Sequence, residues 1–148
     1  MHRVLVVLAV LGGCSKVVKQ EGFRATIAEA DDPKVEGTFE ALGDPSCGRF
    51  QPDRREVHLK ADRFVLDVLE EPFSGKDRAV SLVIDGERYV SDRPGAETAL
   101  VIDNPRGRII GSLRATLIHE SAGTTIDGRP APVRELGVDL TFNLQPCL

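Results

Sequence analysis

The sequence of 148 residues has no tryptophan, one tyrosine and one methionine, and only 5% of it is aromatic. Without aromatic platforms on which sugar rings could stack, carbohydrate enzymes and lectin-like sites both lose ground. Basic residues are not in excess either. Nineteen Lys and Arg against 23 Asp and Glu give a net charge of -4 and a pI near 5.4. A polyanion is held mostly by clustered Lys and Arg, and no basic stripe is present, so nucleic acid is excluded as a partner. The apolar run Val4 to Leu11 is far short of the roughly 20 residues that cross a bilayer as a helix. Ser74-Gly75-Lys76 contains a GK pair, but no glycine precedes it at the spacing of a phosphate-cradling loop, so it reads as a turn and no nucleotide site is expected. The three cysteines lack the close C-x-x-C spacing of zinc or dithiol redox chemistry.

What is present begins at the N-terminus. The apolar run follows one cation, Arg3, and ends in the small residues Gly12 and Gly13, which is the layout of an export signal. The stretch Leu11-Gly12-Gly13-Cys14 resembles the lipobox of bacterial lipoproteins: an aliphatic residue, two small residues and a cysteine. The resemblance covers the first 14 residues. It implies cleavage of residues 1–13 before Cys14, a diacylglyceryl group on the Cys14 thiol and an N-acyl chain on the new terminus, with no other cofactor. Each buried CH₂ contributes about 0.8 kcal/mol, so several acyl chains on one residue give durable attachment to a membrane. The resemblance further implies an exported, membrane-anchored protein, and Ser15 after the cysteine goes with outer-membrane sorting in a Gram-negative cell.

Cysteine arithmetic agrees with export. An odd number leaves a stray thiol in an oxidising compartment, whereas removing Cys14 to lipid leaves Cys47 and Cys147 to pair as a structural disulfide. That bridge staples the end of the chain to the first part of the domain. Residues 14–22 read as the lipidated cysteine and a short linker, and residues 23–148 as one domain. Its composition, 41% hydrophobic and 28% charged, is that of an ordinary globular protein.

The domain reads as strands punctuated by turns. In ELGVDLTFNL, Leu136, Val138, Leu140, Phe142 and Leu144 alternate with polar or small residues, the period of a half-buried strand. RIIGSLRATLIHE places Ile109, Leu113, Ala115 and Leu117 on one side, with Gly111 marking a bulge. Asp85-Gly86 and Asp127-Gly128 are hairpin signals, and Asn104-Pro105-Arg106-Gly107 is further turn punctuation. FRATIAEA and KVEGTFEAL form a pair around Asp31-Asp32-Pro33. EVHLKADRFVLDVLEE is one long strand or two joined near Asp62. The expected fold is all-β, a single antiparallel β-sandwich or partly closed barrel.

No catalytic constellation is visible. Ser46 has Asp44 where a nucleophile elbow needs glycine, and the adjacent carboxylates Asp31-Asp32 and Glu70-Glu71 are too close to flank a glycosidic bond. His58 and His119 lie on expected strands, where alternation sends Glu120 to the face opposite His119; they read as surface or rim histidines rather than metal ligands. The functional expectation is a lipid-anchored cell-envelope lipoprotein with a non-catalytic domain that binds an envelope protein or supports an assembly. The alternative is a carrier of a lipid or other hydrophobic small molecule in a cavity between the sheets.

Overall fold

Two-residue turns cut the chain into short antiparallel strands. The computed structural model describes residues 21–29, 37–42 and 46–148. The strands are β1 (Gly22–Glu29), β2 (Gly37–Leu42), β3 (Cys47–Gln51), β4 (Arg54–Ala61), β5 (Phe64–Glu70) and β6 (Ala79–Ile84). They continue with β7 (Glu87–Val90), β8 (Glu97–Asp103), β9 (Ile109–His119), β10 (Thr125–Ile126), β11 (Arg129–Pro130) and β12 (Glu135–Pro146). Among the described residues the one helical segment is a 3₁₀ turn, Pro105–Gly107.

Turn chemistry accounts for the cuts. Asp85 and Gly86 sit at φ 50° and 80°, and Asp127 and Gly128 at 51° and 74°, the left-handed pair of a type I′ turn that suits the twist of hairpin strands. EVHLKADRFVLDVLEE resolves into two strands, β4 and β5, joined at Asp62-Arg63 with Arg63 at φ 60°. β1 pairs antiparallel with β2 as the sequence suggests; the turn at Asp31-Asp32-Pro33 lies outside the described residues.

Ten strands share one ladder in the order β2-β1-β12-β3-β4-β5-β6-β7-β9-β8, with β12 also paired to β9. The extended pairings divide it into two layers, β2-β1-β12-β9-β8 and β3-β4-β5-β6-β7. The layers meet at two corners. At one, Gln145 and Pro146 of β12 pair in parallel with Cys47 and Gly48 of β3; at the other, Tyr89 and Val90 of β7 pair with His119 and Ile118 of β9. The result is a nearly all-β, mostly antiparallel sandwich whose corners are partly closed.

The core lies between the layers and follows the alternation. Rows of paired residues face inward: Phe23, Phe142 and Ile102 from one layer, and Leu59, Leu66, Leu82 and Tyr89 from the other. Phe23 stacks on Phe64 across the gap with ring centroids 5.3 Å apart, so aromatic rings fill the middle. Gly111 is not a bulge. Its register with Phe142 and Ile102 is unbroken, and a Cβ there would lie 1.9 Å from the Val101 carbonyl oxygen and 2.9 Å from Phe142 Cζ. The glycine is required because a backbone and a ring both approach it.

Candidate functional site

Among the described residues, the outer face of β4-β5-β6-β7 carries a side-chain constellation that combines a histidine, a carboxylate and a concave apolar surface. The Asp62-Arg63 turn sets His58 opposite Asp67, and the next registers set Asp67 opposite Ser81 and Ser81 opposite Val90. His58 Nδ1 lies 2.7 Å from Asp67 Oδ1, and His58 Nε2 lies 3.6 Å from Glu56 Oε1. Beside this row runs a cleft of about 320 Å³ lined by the apolar Leu69, Ala79 and Val90 and by the charged or polar Glu56, His58, Arg88 and Asp92.

The order of the row decides what it can do. Strands are about 4.8 Å apart, so the imidazole and the serine are two strands, roughly 10 Å, from each other with the carboxylate between them. Nucleophilic catalysis needs the imidazole in the middle, in contact with the hydroxyl. The row therefore orients a histidine with a carboxylate but does not activate Ser81. A cleft that mixes apolar and charged lining suits recognition of a protruding side chain.

Glu56 is held by the guanidinium groups of Arg54 and Arg49. Burial pushes its carboxyl up, but the hydrogen bond and charge of Arg54, with Arg49 and His58 nearby, outweigh that and hold it below the usual glutamate range. Arg54 Nη2 lies 3.3 Å from Glu56 Oε1 and Arg49 Nε 3.4 Å from Glu56 Oε2.

His119 is not a surface histidine. It ends β9 only 8% exposed, because its position continues the inward row of Leu117. Its Nδ1 accepts from the Ser121 N–H at 3.1 Å and its Nε2 contacts the Glu87 carboxylate. The ring meets Tyr89 edge-on at 5.2 Å, and Arg134 donates to the Tyr89 hydroxyl at 3.0 Å. These residues clasp the β7–β9 corner.

The other corner holds the predicted staple: Cys47 and Cys147 form a disulfide across a separation of 100 residues. Cys147 N–H also donates to the Gly48 carbonyl at 2.7 Å, and Gly48 has no room for a Cβ, which would meet Ile109 Cγ2 at 2.7 Å. Leu11, Gly12, Gly13 and Cys14 lie outside the described residues, as do Asp31 and Asp32. Ser46 is buried, and its hydroxyl accepts from the Lys60 N–H at 3.0 Å, a structural role. Ser74-Gly75-Lys76 is a turn, with Lys76 N–H donating to Ser74 Oγ at 3.1 Å and Gly75 at φ 72°.

Glu70 is a bridge rather than half of a catalytic acid pair. Arg78 Nε donates to it at 2.8 Å and Arg55 Nη1 at 3.2 Å, while Arg78 Nη1 reaches Thr98 Oγ1 on the opposite layer at 3.0 Å. This network lies at the mouth of the sandwich beside a polar cleft of about 620 Å³. Among the described residues no three His, Cys, Asp or Glu side chains are grouped so as to hold a metal ion, and no helix is long and apolar enough to cross a membrane.

Sequence reasoning placed His58 on a strand but missed its partner. The signal was available: a two-residue turn at Asp62-Arg63 makes paired positions sum to a constant, which sets His58 against Asp67. Comparison of the chain with known proteins found no matching protein family, no matching curated protein and no matching solved structure.

Proposed function

We propose that the chain is an exported lipoprotein, anchored to a membrane through lipid on Cys14, whose β-sandwich is a non-catalytic protein-binding module. The observation that carries this reading is the fate of the cysteines. Cys47 and Cys147 are joined to each other, which leaves the lipobox cysteine as the odd one, and a disulfide suits the oxidising side of a membrane. The outer-membrane assignment follows from Ser15 in a Gram-negative cell.

Recognition at the surface is favoured over carriage of a lipid inside. The inward rows are filled by Phe23, Phe64, Phe142 and Tyr89, all fully buried, whereas the His58 cleft opens on the outside of the sheet. Leu69, Ala79 and Val90 supply apolar lining there, with charges of both signs beside it to choose among partners.

Native mass spectrometry of protein gently extracted from its own membranes tests the proposal. The expected mass starts at Cys14, carries acyl chains and is two hydrogens light. An unprocessed mass with free thiols overturns the anchor and the compartment together. A further bound lipid that survives removal of the acyl chains overturns surface recognition in favour of the carrier.

A further inference from the structure

The edge of the first layer is a second surface on which the sandwich differs from a well-protected one. β8 ends the ladder and pairs with β9 over seven unbroken positions, from Glu97 opposite Thr116 to Asp103 opposite Ile110. Free strand edges template further pairing, and natural sheets blunt them with proline, lysine, bulges or inward charges. ETALVID has no proline, lysine or bulge, and its two charges, Glu97 and Asp103, stand at its ends. Arg78 Nη1 from the other layer donates to the Thr98 carbonyl at 3.2 Å, so the open part of the edge begins beyond Thr98. Its inward residues Thr98, Leu100 and Ile102 are half-buried, and its outward residues are Glu97, Ala99, Val101 and Asp103, with Val101 67% exposed. The outward row is thus an apolar centre between two exposed carboxylates. The nearest cation across the ladder, Arg114 opposite Ala99, lies 3.4 Å from Asp139 and is engaged there.

We infer that β8 is a β-augmentation site that accepts an extended segment of a partner protein, with basic residues at both ends of a seven-residue stretch and apolar residues between. The inference rests on reading the domain as a protein-binding module and names the chemistry of one partner segment. Backbone bonds along the edge hold any added strand, while pairing with Glu97 and Asp103 selects basic ends, since opposite charges across strands attract and like charges repel. The same charges disfavour a second copy of this chain. Two β8 strands paired antiparallel about Leu100 would set Glu97 of each against Asp103 of the other.

The test is hydrogen exchange by mass spectrometry on the purified full chain in detergent, with the peptide KTVTVTK as probe and ETVTVTE as its charge-reversed control. KTVTVTK is expected to slow exchange within residues 97–103 at least tenfold, and ETVTVTE to bind at least tenfold more weakly. Leu100→Pro, which removes an amide that alternation turns to the free edge, is expected to abolish the protection. Should that variant not fold, the double variant Glu97→Lys, Asp103→Lys, which alters only exposed side chains, is expected to reverse the preference between the two peptides. Protection elsewhere than β8, equal binding of the two peptides, or a doubled native mass without peptide each overturns the inference. None of these readouts uses the lipid on Cys14 or the His58 cleft, so failure here is distinct from failure of the lipoprotein reading.

Discussion

At the scale of single residues, Gly111 is the glycine most closely approached by its surroundings. Gly111→Ala drives a methyl group into the Val101 carbonyl and the Phe142 ring, and neither a ladder backbone nor a packed aromatic yields easily. Overpacking of this kind costs about 1–3 kcal/mol, and chemical denaturation is expected to show a loss of that size, with β8 amides exchanging first. Glu56 makes the second prediction. Its folded-state pKa is depressed, so it contributes stability that is present above the unfolded glutamate value, about 4.3, and lost as pH falls through the lower folded value. Glu56→Gln is expected to flatten the stability curve in that acid window while leaving neutral-pH stability within about 1 kcal/mol, as for partly exposed ion pairs. A pH series of urea melts on both proteins is the check, and identical acid slopes contradict it.

At the scale of elements, hairpins were the most legible part of the fold. Asp85-Gly86 and Asp127-Gly128 announce turns because both residues tolerate positive φ, and both form them. Gly86→Ala places a side chain at φ 80° and is expected to lower stability by about 1–2 kcal/mol, read as a drop in melting temperature. The alternation of β12 was equally clear, since Leu136, Val138, Leu140, Phe142 and Leu144 are all buried. What local pattern does not carry is pairing between distant segments. Nothing near Tyr89 announces that β7 meets β9, so the burial of His119 was hidden, and the tight approach at Gly111 depends on β8 lying beside it. The candidate site was half legible: the residues of the row are visible in sequence, but their juxtaposition arises only once three registers are set.

For the whole molecule, the two corners decide how the layers hold together. The pairing at each is short, two residues long, and each is reinforced by side chains: the disulfide at one and the His119, Glu87, Tyr89 and Arg134 group at the other. In the chain-entropy account a bridge closing about 100 residues contributes on the order of 4–5 kcal/mol, often less in practice. Cys147→Ser is therefore expected to lower stability by about 2–5 kcal/mol, with early exchange in β3 and residues 145–148 while the β4–β7 hairpins stay protected longer. Uniform loss of protection across both layers is the outcome that contradicts independent corners.

β12 is paired with β1, β9 and β3, yet it follows every other strand in chain order. During synthesis, β1 and the β8–β9 hairpin therefore emerge without the neighbour that joins them, and contacts as distant as Phe23 with Phe142 must wait. Such long separations slow folding. The consequence is one of timing: the first layer assembles only once β12 has emerged, and until then its apolar faces depend on whatever escorts the nascent polypeptide.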